Sequence, residues 1–190
     1  QIPQLEIPFY DEINHSGILK TIAVRESATT HQIQVTFITN SPKLLKKHQL
    51  LTFIAEKLPS VVSVMQNINP GDTPLVWGAE TIHLAGDSYI TDSLMGLDFH
   101  LSARSFLQLN PYQTETLYEE AAKAMELTST DTLIDAYAGI GTIGLALANR
   151  VQEVRGMEII PEAVADANQN AALNNITNAK YETGSAEELL

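Results

Sequence analysis

Between Thr132 and Gly144 the chain reads TLIDAYAGIGTIG. An apolar run ends in an acid, Asp135, and glycines follow at 139, 141 and 144, ahead of the small-residue stretch LALANR. Glycines let a backbone turn tightly and approach a ligand, and a helix start behind them presents free N–H groups. Gly139, Gly141 and Gly144 match G-x-G-x-x-G, a weak signal alone. The context strengthens it: an apolar run precedes the motif, a helix pattern follows, and Glu158 stands near the next strand end. The two oxygens of Glu158 can accept hydrogen bonds from both hydroxyls of a ribose, at roughly 1.5–3 kcal/mol each. Two nucleotide-type cofactors suit this layout. A dinucleotide would rest its pyrophosphate on the helix N-terminus, after a strand that is apolar to its end. S-adenosylmethionine carries a sulfonium and an ammonium, so the acid at the strand end, Asp135, suits it better. Glu158 serves either, and a glycine-rich turn without a ligand is the third reading.

A second stretch, GLDFHLSARSFLQLNPYQTETLYEEAAKAM, precedes the motif. Asn110, Pro111 and Gln113 have the types and spacing of an N-cap, a first-turn proline and a capping-box partner. They predict a helix from Pro111 to about Met125 with Leu117, Ala121, Ala124 and Met125 as its apolar stripe. If Arg104–Leu109 is extended, Phe106 and Gln108 share a face. A Phe beside an amide could flank an adenine or a substrate base there, although spacing alone favours a core Phe and a surface Gln.

These residues need a scaffold. Past Glu158, Pro161 starts a helix to about Leu173, and Ala179–Thr183 reads as a strand. The unit strand–glycine loop–helix–strand–Glu–helix–strand is half of a doubly wound sheet. Upstream, Ser16–Val24, Gln32–Thr39 and Ser60–Ile68 read as strands, and shorter ones are expected at Pro74–Trp77, Thr81–Ala85 and Tyr89–Leu94. Ser41 and Pro42 resemble a helix start, with helical apolar spacing over Lys43–Leu58. The expected architecture is α/β: a small α+β domain over residues 1–95, then half of a Rossmann-like cofactor domain over 96–190.

The 190 residues carry a net charge of −12, which argues against binding nucleic acid by charge alone. Residues 1–110 hold 7 Lys/Arg and 10 Asp/Glu, net −3, whereas residues 111–190 hold 4 and 13, net −9. If a polyanion is bound, the first part is the better face. Lys43, Lys46 and Lys47 would share one helix face, which reads more simply as solvated than as a phosphate contact. Lys20 and Arg25 flank the first strand, and Arg25 beside a polar loop has the geometry to meet a phosphate. No Cys is present, so disulfides, thiolate metal sites and a Cys nucleophile are excluded within these residues. No apolar run approaches the roughly 18 residues that span a membrane, and no signal peptide opens the chain, so a cytoplasmic location is expected.

With SFLQLNPYQTETLY, DAYAGIGTIGLALA and GMEIIPEAVADANQNAALN in view, the chain resembles the RNA (uracil-5-)-methyltransferases, especially the branch acting on bacterial 23S ribosomal RNA. The combination of F-x-Q-x-N-P with D-x-Y-x-G-x-G carries the resemblance, strongly over about residues 96–178 and more loosely over 1–95. It implies an S-adenosylmethionine methyltransferase domain preceded by the family's central, RNA-contacting domain. It implies cofactor contacts at Gln108, Tyr137 and Glu158, with the Gly139–Gly141 turn close by and Phe106 near the same site. Ser185 stands where an acid is expected after the third strand. The mechanism so implied is covalent: a Cys thiolate attacks uracil C6, C5 takes the methyl group, and a base removes the C5 proton from a base drawn out of its stack.

The nucleophile, the base and any iron–sulfur ligands are therefore expected outside these residues, which alone should be inactive. No metal or iron–sulfur cluster is expected within them. An exposed sheet edge is expected to favour self-association. Alternatives are a tRNA or other S-adenosylmethionine methyltransferase, an NAD-type oxidoreductase, and a non-catalytic RNA-binding module.

Overall fold

The structure, a computed structural model, describes residues 5–189, which form two compact units. The first unit comprises residues up to Ser27 and His31–Ile90. Its sheet holds β1 (Leu19–Glu26), β2 (Ile33–Thr39), β3 (Val61–Ile68) and β4 (Glu80–Gly86) in that order. β2 and β3 run parallel, joined through α1 (Lys47–Lys57), and the outer pairs are antiparallel. Parallel neighbours need such a crossover, and a helix supplies it. Leu50 and Ile54 of α1 pack with Leu19, Val35, Phe37 and Val64 of the sheet. The alternating polar residues of β2 are buried as well. Gln34 Nε2 donates to Ser63 Oγ at 3.0 Å, and Gln66 Nε2 donates to Thr39 Oγ1 at 2.8 Å. Cross-strand pairing of this kind satisfies polar groups that water does not reach.

The first unit departs from the local expectations at several points. The helix expected over Lys43–Leu58 begins only at Lys47, because Lys46 takes the left-handed conformation at φ 51° and ends any helix before it. Lys43, Lys46 and Lys47 therefore do not form one helix face, and Lys46 Nζ instead meets Glu6 Oε2 at 2.9 Å. The strand expected at Pro74–Trp77 is a loop, held by Asn69 Nδ2, which donates to the carbonyls of Leu75 and Val76. The first strand starts at Leu19 rather than Ser16.

The second unit comprises Ala28–Thr30 and Thr91 onward. Its hairpin pairs β5 (Ile90–Leu94) with β6 (Leu97–Leu101) through Met95 and Gly96, whose φ values of 52° and 77° suit a tight hairpin turn. Buried Asp92 accepts hydrogen bonds from the Ala28 and Thr29 N–H groups and from Thr29 Oγ1. α2 spans Pro111–Met125 as expected, and the Asn110 side chain accepts the Gln113 N–H at 3.2 Å. Its buried face differs from the expected one: Thr114, Tyr118 and Ala122 point inward, while Leu117 and Met125 are exposed. Tyr118 selects this face, since it is buried and its Oη bonds Thr142 Oγ1 at 2.9 Å.

The rest of this unit follows the expected order. β7 (Thr132–Asp135), β8 (Glu153–Glu158) and β9 (Ala179–Thr183) form a parallel sheet in the order β7-β8-β9. α3 (Thr142–Leu147), a short 3₁₀ turn at Ala148–Arg150 and α4 (Pro161–Leu173) make the crossovers, and α5 (Ala186–Leu189) follows β9. The outer edge of β9 is occupied at Tyr181, whose N–H and carbonyl both bond the Asn168 side chain of α4. Among the described residues β7 has one strand neighbour, and its Ile134 is exposed. No helix among the described residues is long and apolar enough to cross a membrane.

Candidate functional site

Two parallel strands bring their C-terminal ends together at Asp135 and Glu158, with the glycine loop between them. Crevices at such strand ends are the usual ligand sites of open α/β sheets. The loop closes on itself through a bond from the Gly141 N–H to the Ala138 carbonyl, 2.8 Å, and is tied to β8 by the Ala138 N–H on the Met157 carbonyl, 3.0 Å. Gly139 and Gly141 take positive φ, 54° and 83°. Glu158 straddles the crevice: Oε2 accepts the Gly139 N–H at 3.1 Å and Oε1 accepts the Ile160 N–H at 3.0 Å. Its remaining lone pairs leave capacity for further donors, two hydroxyls among them.

Asp135 lies deeper. It is buried, and its Oδ2 accepts the Gly144 N–H at 3.0 Å. Desolvation pushes its carboxyl above the ordinary carboxylate range, the Gly144 bond works against this, and the Glu158 charge adds to it.

A cleft of about 120 Å³ opens beside Glu158. Phe106, Gly139 and Glu158, all expected site residues, line it together. Gln108 and Tyr137 are exposed, and neither they nor Asp135 and Gly141 are among its lining residues. Ser102, Arg104, Ser105, Ile160, Glu162 and Ala163, none of them expected from the sequence, complete the walls. A signal for Ile160 exists: it directly precedes Pro161, the first residue of α4, so its place at the helix entry was readable. Ser102 and Ser105 carry no such mark. The wall sets apolar Phe106 and Ile160 beside the carboxylates of Glu158 and Glu162, a mix of apolar surface and hydrogen-bond acceptors that suits a flat heterocycle and a diol. Its volume is below the roughly 300–1,000 Å³ of a full drug-sized pocket, so it receives part of such a ligand. Among the described residues no group of three or more His, Cys, Asp or Glu could hold a metal ion.

Lys20 and Arg25 lie in the other unit, on β1. Lys20 Nζ donates to the Gly71 carbonyl at 2.5 Å and sits 4.8 Å from the Tyr10 ring centroid. Arg25 pairs in register with Gln34.

Known proteins resemble this chain. An RNA methyltransferase of Lactiplantibacillus plantarum, itself uncharacterized, is 62% identical over 189 residues, covering 100% of this chain and 39% of its own length. A Listeria innocua protein of the same description is 53% identical over 184 residues, covering 97% of this chain and 40% of its own. The chain thus spans about two fifths of the length of these curated relatives. Among solved structures, the Pyrococcus abyssi tRNA (uracil-54, C5)-methyltransferase in complex with S-adenosyl-L-homocysteine superposes with a TM-score of 0.77 at 25% identity, over 97% of this chain and 44% of that one. The mixed, Rossmann-like α/β architecture expected from the sequence is the one observed. A family model described as tRNA (uracil-5-)-methyltransferase matches residues 82–190, more than half of the chain, and the chain belongs to that family.

Proposed function

We propose that the protein methylates C5 of a uracil in RNA with S-adenosylmethionine as donor, and that this chain supplies the cofactor cleft. One observation carries the choice of cofactor: two carboxylates, Asp135 and Glu158, already accept the Gly144 and Gly139 N–H groups of the loop. A pyrophosphate would compete for those N–H groups and be repelled by both charges, of which Glu158 lines the cleft and Asp135 lies buried behind it, whereas a sulfonium and an ammonium are attracted. Glu158 would take the ribose hydroxyls, Phe106 would flank the adenosine, and Gln108 and Tyr137 would reach the ligand from outside the cleft. When bound, the cofactor supplies the methyl group. This chain's residues bind and orient it, and the nucleophilic Cys and the base come from elsewhere in the protein.

The preferred substrate is 23S ribosomal RNA in the cytoplasm, supported by the resemblance of the SFLQLNPYQTETLY and GMEIIPEAVADANQNAALN segments to that branch. Residues 1–95 would act as the RNA-contacting domain, with Lys20 and Arg25 against phosphates, and residues 96–190 as the first half of the methyltransferase domain. A tRNA substrate is the second reading, favoured by the likeness to the Pyrococcus abyssi tRNA enzyme. Transfer of labelled methyl groups to unmodified 23S rRNA and to unmodified tRNA decides between them. Label in 5-methyluridine of 23S rRNA is expected. Label in tRNA alone would replace the substrate, and label in neither would end the methyltransferase reading.

A further inference from the structure

Beneath the glycine loop lies a residue that the cofactor reading does not use. Tyr181, in the middle of β9, is 3% exposed, and its Oη donates to the Gly141 carbonyl at 3.3 Å, across 40 residues of sequence. Its ring also fills the space that side chains at neighbouring glycines would need. A Cβ at Gly156 would stand 1.9 Å from the ring Cδ1, one at Gly141 2.8 Å from Cζ, and one at Gly144 2.6 Å from the hydroxyl oxygen. A Cβ at Gly139 would meet nothing within 4 Å. The glycines of G-x-G-x-x-G thus divide. Gly139 faces the cleft, while Gly141 and Gly144 have the Tyr181 side chain against them from inside, joined at Gly144 by Val154 Cγ1 at 2.8 Å and Asp135 Oδ2 at 3.0 Å and at Gly141 by its positive φ.

We propose that Tyr181 is the positioning residue of the cofactor loop: a buried template on the third strand that presets the curve of Ala138–Gly144 and so the placing of Gly139 against the ligand. Tyr181 does not line the cleft, so it acts through Gly141 and Gly144. Its backbone is held in turn, for Asn168 Oδ1 accepts the Tyr181 N–H at 3.2 Å and Asn168 Nδ2 donates to its carbonyl at 3.0 Å. Asn168 belongs to α4, the helix that follows Glu158, so both walls of the crevice are tied to the template. Burial first, and the Asp135 carboxylate second, push the phenol's pKa upward, so the hydroxyl stays a donor at any working pH. A loop shaped in advance spares the ligand the ordering cost that a mobile one imposes.

This inference rests on the reading that the loop binds S-adenosylmethionine, and its test separates the two. Tyr181→Phe keeps the ring and removes the donor. In calorimetric titration of the protein with S-adenosylhomocysteine, the variant should bind about three- to tenfold more weakly, the worth of one neutral hydrogen bond. In methyl transfer, KM for S-adenosylmethionine should rise by the same factor, with kcat at saturating cofactor unchanged. Unchanged affinity and KM, or a fall in kcat alone, would overturn the proposal. Hydrogen exchange gives a readout that needs no ligand: the amides of Gly139–Gly144 should exchange faster in the variant, with β1–β4 unaffected. Unaltered exchange in the loop overturns the template role. If the wild type binds no S-adenosylhomocysteine, the cofactor reading fails, and the exchange measurement still decides on Tyr181.

Discussion

The buried side chain of Asn170, on α4, accepts the His100 N–H of β6 at 2.8 Å through its Oδ1. Its Nδ2 approaches the carbonyls of His100 and of Ile140, each at 3.4 Å, the second inside the glycine loop. One amide thus joins the hairpin that leads to Phe106, the helix that follows Glu158, and the loop between them. Asn174 repeats the pattern one helical turn on, accepting the Asp98 N–H at 2.9 Å and donating to its carbonyl at 2.7 Å. The Asn-rich run of α4 serves as an edge for β6 to dock on.

Asn170→Ala should therefore lower unfolding stability by about 2–3 kcal/mol, because it removes the amide's hydrogen bonds to β6 and the loop and leaves a void. Chemical denaturation checks this. A loss below about 0.5 kcal/mol would mean that water replaces the amide.

Asp92 should matter comparably. It gathers the Ala28 and Thr29 N–H groups and the Thr29 hydroxyl, all from a segment distant in sequence. Asp92→Ala should cost about 2 kcal/mol or more and open residues 28–30 to limited proteolysis. Cleavage there at the wild-type rate would contradict this role.

Asp135 predicts a pH dependence. Burial, opposed by the Gly144 bond and aided by the Glu158 charge, raises its folded pKa above the ordinary value of 3.8. The folded state therefore takes up its proton at higher pH than the unfolded chain does. The cost of the buried charge is full above the folded pKa and disappears as pH falls through that value toward 3.8. Relative to wild type, Asp135→Asn should be most favoured near neutral pH, with its advantage shrinking on acidification to about pH 4. Thermal unfolding across that range, without ligand, measures it. An advantage that grows toward acid would contradict the assignment.

The open edge of β7 predicts association. A polypeptide of these 190 residues should form dimers or larger species through that strand, since the edge of β9 is occupied at Tyr181 by Asn168 and β7 has one neighbour among the described residues. Light scattering that shows only monomer would contradict this, and Ile134→Lys should reduce the association.

Where local chemistry decides the structure, the sequence was readable. The cap at Asn110, the end of β7 at Asp135 and the helix start at Pro161 each follow from one or two residues acting on their own backbone. Features set by distant partners were not. Apolar spacing in α2 pointed to Leu117 and Met125, but the Tyr118–Thr142 bond turned the other face inward. Proline and helical spacing pointed to a helix from Lys43, but Lys46 in a left-handed conformation delayed it. In the site, Glu158, Gly139 and Phe106 were legible from motif and context. Tyr181 was hidden because nothing in AKYET says which glycines its ring will meet. Only the parallel register, which sets Gly156 beside Tyr181, brings them together.

The proposed seat of S-adenosylmethionine is the Glu158–Gly139 crevice. Calorimetric titration of the protein with S-adenosylhomocysteine, in wild type and Glu158→Ala, tests it most directly. Saturable binding is expected in the wild type, weakened at least tenfold in the variant by the loss of charge-assisted bonds to the ribose, with no binding of NAD. Binding of NAD instead, or equal affinity of wild type and Glu158→Ala for S-adenosylhomocysteine, would contradict it.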